Sequence, residues 1–243
     1  MKDRYEKQEA RGIVVENRFL KWLDNFWYHY KWPTLVIAFF LFVGTVCFVQ
    51  CSTREGFDLS VAYAGGFSPT QEQASRINEV FSAIAPPDKE GEAPVVRVNT
   101  YTVFTEEEAR ALCTDEDGNF STYAFNQTKQ TTKNNLDQFG TYTKTGEAAV
   151  WLVSEYVYET LNLSKIAAPL SDLYEVPPAG AYDAYAVRLC DTELYRYYDA
   201  LKVLPEDTLI VMPHTLVWGK SSNEEHYREF QALHRAIIEF KAP

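Results

Sequence analysis

From Leu35 to Cys51 the chain runs seventeen residues, LVIAFFLFVGTVCFVQC, without a single charge. A helix of that length is about 25 Å long at 1.5 Å per residue, the short end of what crosses the hydrocarbon of a bilayer. Trp22, Trp27, Tyr28, Tyr30 and Trp32 precede the run, and amphipathic aromatic rings favour the headgroup boundary. Pro33 is read as the start of the helix, where its missing N–H goes unused. A core helix of a soluble domain rarely carries so many Phe and no polar face, so residues 34–51 are read as one transmembrane helix.

Cation bias sets its direction. Within about twenty residues of the run, Arg18, Lys21 and Lys31 lie before it and Arg54 alone after it, which places the N-terminus in the cytoplasm and the C-terminal part outside the cell membrane. A cleaved signal peptide needs a shorter lead and a small-residue cleavage site, and Val49-Gln50-Cys51 supplies none. Neither Gly44-Thr45-Val46 before Cys47 nor Phe48-Val49-Gln50 before Cys51 resembles a lipobox, so an uncleaved signal-anchor is expected, with both cysteines as small apolar filler. Residues 1–33 then form a cytoplasmic and juxtamembrane segment, in which Phe19, Leu20, Leu23, Phe26, Trp27 and Tyr30 recur at helical steps. Residues 52–243 form the extracytoplasmic domain.

That outer part holds 16 Lys/Arg against 29 Asp/Glu, a net charge of −13, while residues 1–51 hold 7 against 5. An acidic surface without a basic stripe repels phosphate backbones, and no nucleic-acid partner is expected. Cys113 and Cys190 lie outside, where oxidation is permitted, and are candidates for a disulfide. It would close a loop of roughly 77 residues and contribute roughly 4 kcal/mol on the chain-entropy account.

Beyond the span, strand and helix patterns alternate. Phe57, Leu59, Val61 and Tyr63 read as a strand ending at Gly65-Gly66, and Ser68-Pro69-Thr70-Gln71 as a capped helix start, with Ile77, Val80, Phe81 and Ile84 as its apolar stripe. Pro94 to Phe104 reads as a second strand, Thr105 with Glu108 as a capping box, and Thr128 to Gly140 as a helix of low amphipathicity. Ala148 to Val153 is apolar at every position, as a strand covered on both faces is, and Ser154 caps the helix after it. A strand over Tyr182–Leu189, a helix over Thr192–Leu201, a strand over Thr208–Met212 and a final helix from Ser222-Asn223-Glu224-Glu225 complete the pattern. The final helix turns Tyr227, Phe230, Leu233, Ile237 and Phe240 inward. The expected class is α/β, a mostly parallel sheet with helices on both faces and right-handed crossovers.

Four pieces, DLSVAYAG with its capped helix, YTKTGEAAVWLVSEYVYETL, IAAPLSDL and AYAVRL, together resemble one lobe of an extracytoplasmic solute-binding protein of the periplasmic-binding-protein type II kind. The juxtamembrane FWYHYKWPTLVIAFF resembles the anchors of single-span surface proteins of Gram-positive bacteria. The resemblance implies a membrane-anchored, degenerate single-lobe relative, because the residues after AYAVRL are too few to build a second lobe. Ligands of open parallel sheets sit at the carboxyl ends of the strands. Here those places are Gly65, Gly66, Phe67 and Ser68, then Phe104 and Thr105, then Ser154, the candidate ligand-binding residues.

Catalytic and metal motifs fail. Lys144-Thr145-Gly146 matches the KTG of penicillin-recognising enzymes, but no Ser-x-x-Lys exists to accompany it. Asp115-Glu116-Asp117-Gly118-Asn119 has its glycine two places early for a calcium loop, and Asn126 stands where the closing Glu belongs. His214, His226 and His234 form no zinc spacing. No catalytic residue, metal or cofactor is expected. Tyr182, Tyr185, Tyr195, Tyr197 and Tyr198 are an aromatic set suited to a sugar or peptide, or to half-buried packing. The expected function is non-catalytic binding of a small extracellular ligand or a protein partner. A structural subunit of an envelope or transporter complex, and an extracellular hydrolase with a dispersed site, are the alternatives.

Overall fold

The computed structural model describes residues 18–52, 56–87, 91–215 and 219–243, without the side chains of residues 18–25 and 50–52. The segment before Arg18, which the sequence reading expects in the cytoplasm, the side chains of Phe19, Leu20, Trp22 and Leu23, and Arg54 lie outside this description. The described residues form two compact units, a long N-terminal helix and the domain from Gly56 to Pro243.

Helix α1 runs from Arg18 to Ser52. Its stretch Phe26–Val49, 24 residues of mean hydropathy 2.2, is long and apolar enough to cross a membrane. Phe39, Phe40, Phe42 and Phe48 are all exposed on it. Pro33 lies inside α1 and does not open it. A proline there removes one N–H from the ladder, that to the His29 carbonyl, and the apolar helix continues on both sides of the break.

The domain carries a five-stranded sheet in the order β2-β1-β3-β5-β4. Its strands are β1 (Leu59–Gly65), β2 (Val96–Thr102), β3 (Val150–Ser154), β4 (Ala186–Arg188) and β5 (Thr208–Val211). β1 pairs in parallel with β2 and β3, whereas β5 runs antiparallel to both of its neighbours, so four strands share one direction. The antiparallel β5 departs from a simple alternating parallel reading; its four residues are buried on both faces, a pattern equally suited to either direction.

Helices cover both faces. Leu59, Val61, Tyr63, Val150, Leu152 and Ile210 face one core, closed by Ile77, Val80 and Phe81 of α2 (Gln71–Ile84) and by the last helix. Ala62, Ala64, Trp151, Val153, Leu209 and Val211 face the other, closed by Phe139 of a long polar helix and Val157 and Tyr158 of a short one. Among the described residues, both cores are built from Leu59 onward.

The capping boxes form, with one displaced. Thr105 caps α3 (Glu106–Leu112) and exchanges bonds with Glu108, as expected. The cap of α2 is Thr70, not Ser68, and its partner is Gln73. Thr70 and Gln73 satisfy each other's backbone N–H, which leaves Pro69 just before the helix. Helix α4 (Thr122–Tyr142) is longer than expected because Ser121 caps it; only Phe125 and Phe139 of it are buried. Ser154 caps α5 (Glu155–Thr160), and a short α6 (Leu170–Leu173) falls within the proline-rich connection. α7 (Glu193–Tyr197) and α8 (Glu224–Ile238) follow, the latter burying Phe230, Leu233 and Ile237 as its periodicity requires.

The strand expected from Tyr182 shrinks to Ala186–Arg188. One carboxylate oxygen of Asp183 accepts the N–H groups of Tyr185 and Ala186, and the turn so formed lets Tyr182 donate its N–H to the Ala186 carbonyl. The expected disulfide does not form: Cys113 and Cys190 are free thiols. Cys113 packs with Ala109 and Phe125, its Sγ 3.6 Å from the Thr128 hydroxyl, whereas Cys190 lies in the short turn of helix after β4.

Candidate functional site

The parallel trio β2-β1-β3 brings all the candidate binding residues to one end of the sheet. Most of their polar groups are already engaged there. The buried Tyr63 hydroxyl accepts the N–H of Phe67 at 3.2 Å, and the Gly65 carbonyl accepts from Val103. Gly66 leaves room for the Glu108 carboxylate, which would lie 2.6 Å from a Cβ at that position. The N–H and hydroxyl of Thr105 both donate to Glu108, and the buried Ser154 hydroxyl accepts from Val157. Ser68 is exposed.

Acidic groups crowd the same end. Asp207, before β5, titrates above the ordinary carboxylate range because it is partly buried and because Glu108 and then Glu155 repel its charge. Burial above all pushes the Tyr63 phenol up as well, so it stays a neutral hydroxyl. Glu155 is balanced by Arg188, 2.6 Å away. The Thr208 hydroxyl is buried with no hydrogen-bond partner among the described residues.

Phe104 and Thr105 open onto a cavity. Its volume is about 340 Å³; α3 contributes Glu106 and Ala109 to its walls, α4 Lys129, Thr132 and Lys133, and α5 Tyr156. Among the described residues neither lysine forms an ion pair or donates a hydrogen bond; Lys129 lies 5.4 Å over the Phe125 ring. Thr132 accepts the Phe104 N–H at 3.4 Å, which leaves its own proton to donate, and the Tyr156 hydroxyl has no partner among the described residues. The one carboxylate the described residues bring to the wall, Glu106, is paired with Arg110 at 3.1 Å.

A second cavity of about 310 Å³ lies at the other end of β1, walled by Phe57, Pro86, Pro87, Pro94, Lys220 and His226. Its polar groups satisfy one another. Lys220 donates to the Asp58 carbonyl, Asp58 accepts from Val95, and His226 pairs with Glu229 at 3.0 Å. The other two histidines of the domain are similarly engaged: His234 is buried against the Tyr174 hydroxyl at 2.9 Å, and His214 faces its neighbour Thr215. Among the described residues no three His, Cys, Asp or Glu side chains converge as a metal site would require.

The tyrosines divide between packing and polar anchoring. Tyr195 donates to the Leu204 carbonyl, and Tyr158 and Tyr182 bond Asp183 and Glu159. Tyr197 and Tyr198 pack against each other and against Phe240. Reading the sequence missed Lys129, Thr132, Lys133 and Tyr156; the one available signal was two lysines four apart on a helix of an otherwise acidic domain.

No family model, curated protein or solved structure matches the chain.

Proposed function

We propose that this chain is a non-catalytic, membrane-anchored surface protein whose outer domain, a single lobe of the type II solute-binding kind, holds a small extracellular ligand at the carboxyl ends of β1 to β3. The observation that carries the reading is the cavity at Phe104 and Thr105, which lies at the expected end of the sheet and is lined by donors whose hydrogens are unclaimed among the described residues. The Thr105, Glu108 and Ser154 side chains are engaged with the chain around them, so they position the strands and leave recognition to the cavity. The lack of any Ser-x-x-Lys beside Lys144-Thr145-Gly146, and the engagement of His226 and His234, support binding over hydrolysis.

The anchor rests on α1. Its exposed phenylalanines need an apolar solvent, and the lysine and arginine bias favours a cytoplasmic N-terminal end.

Thermal unfolding of residues 56–243 against panels of sugars, amino acids, peptides and organic acids tests the ligand. A true ligand at a hundred times its Kd adds about 2.7 kcal/mol to stability. A panel that leaves the transition unmoved counts against a small ligand. Protease added to whole cells tests placement: the outer domain is expected to be digested and a tag before residue 18 to survive.

A further inference from the structure

Resting on that reading, we propose that the cavity between α3, α4 and α5 takes a small organic carboxylate, selected by Lys129 and Lys133.

Donors and acceptors in the wall do not balance. Lys129, Lys133, Thr132 and Tyr156 bring hydrogens to the cavity. The one carboxylate beside them among the described residues, that of Glu106, is held by Arg110. A wall of donors suits a ligand that only accepts, and an ionised carboxylate is such a ligand. Lys129 and Lys133 are one helical turn apart, with Cβ atoms about 6 Å from each other. Two like charges on neighbouring side chains repel each other, and both gain from a shared anion. Arg110 adds a third cation nearby, 5.0 Å over the Phe125 ring that Lys129 also covers. The two lysines stand against an acidic background, since residues 52–243 carry 16 cations and 29 carboxylates.

The remaining walls set the rest of the ligand. Phe104, Ala109, Leu136 and the Tyr156 ring are apolar, and 340 Å³ is at the small end for a ligand cavity. A compact acid with a short apolar body fits both. Phosphate shares the charge but leaves the apolar wall uncovered.

Calorimetric titration of residues 56–243 with benzoate, succinate and inorganic phosphate, each acid beside its neutral amide, tests the assignment. At least one carboxylate is expected to bind at least about tenfold more tightly than its amide. Lys129→Gln and Lys133→Gln are each expected to weaken it by about tenfold with the fold unchanged, since both side chains are exposed. Binding is also expected to weaken as salt is raised. Phosphate binding without carboxylate binding would overturn the carboxylate class. Acid and amide binding equally, with the lysine variants unaffected, would overturn the role of the lysines while leaving a small-ligand domain standing. A different ligand class raising stability while no acid binds would likewise overturn the carboxylate assignment alone, and silence from every class removes both proposals.

Discussion

The hydroxyl of Tyr63 occupies the place of a side chain at Gly65: a Cβ there would lie 2.7 Å from Tyr63 Oη. The tyrosine is buried, and its hydroxyl holds the Phe67 N–H, so the strand end and the turn into α2 are tied through this one contact. Gly65→Ala is expected to destabilise the domain by about 1–3 kcal/mol through overpacking. Adding Tyr63→Phe removes the clashing oxygen, and the double variant is expected to be more stable than the sum of the two single losses. Urea unfolding of the four proteins in a double-mutant cycle measures the coupling; strict additivity would show that the contact does not constrain residue 65.

The free edge of the sheet at β2 is closed by side chains. Ser82 and Asn78, one turn apart on α2, accept the outward N–H groups of Val96 and Val98 at 2.9 and 2.8 Å, and Asn135 of α4 donates to the Thr102 carbonyl. Such capping denies the edge to another strand. Asn78→Ala with Ser82→Ala is expected to lose about 1–3 kcal/mol, from two N–H groups left without partners, and to self-associate in sedimentation. A monomer of unchanged stability would mean the two side chains do not guard the edge.

Much of this arrangement was legible in the residues. Ala148 to Val153 announced a strand covered on both faces because every position is apolar, and Thr105 and Ser154 announced caps because their chemistry is local. The α8 stripe was equally plain, since helical periodicity depends on neighbours in sequence. What escaped was set by contacts distant in the chain. The direction of β5 leaves no mark on four residues buried on both faces. Tyr182 to Ala184 resemble a strand until the Asp183 carboxylate is seen gathering two N–H groups. The cavity was hidden for the same reason: α4 is polar along most of its length, and only packing against α3 and α5 turns Lys129 and Lys133 toward a common space.

Asp207 imposes a pH dependence on the domain. Its folded pKa is raised, so the folded state holds this proton more tightly than the unfolded chain does. Stability from this group is therefore present at low pH and declines as pH rises above the ordinary carboxylate value through the raised one. Asp207→Asn keeps an oxygen for the Glu155 N–H and removes the repulsion from Glu108. The variant is expected to be more stable than the parent at neutral pH, by up to about 1 kcal/mol after solvent screening, and equal to it in acid. Thermal unfolding across a range of roughly pH 3 to 7 shows this; a parent that stays the more stable protein at neutral pH would reverse the sign assigned to Asp207.

His234 acts in the opposite direction. It is fully buried, bonds the Tyr174 hydroxyl through Nδ1, and has no partner at Nε2 among the described residues. Burial first, and Arg235 second, push its pKa down to about 3 from 6.5. The neutral ring is the form that fits, so its contribution is complete above pH 6.5 and is lost as pH falls through the window toward the folded value. Within that window a single withheld proton gives a slope of about 1.4 kcal/mol per pH unit. Replacing the pair, His234→Leu with Tyr174→Phe, removes the proton acceptor without stranding the hydroxyl. The double variant is expected to unfold in urea with a midpoint that changes less than the parent's between about pH 6.5 and pH 4. Equal acid sensitivity in the two proteins would place the titrating group elsewhere.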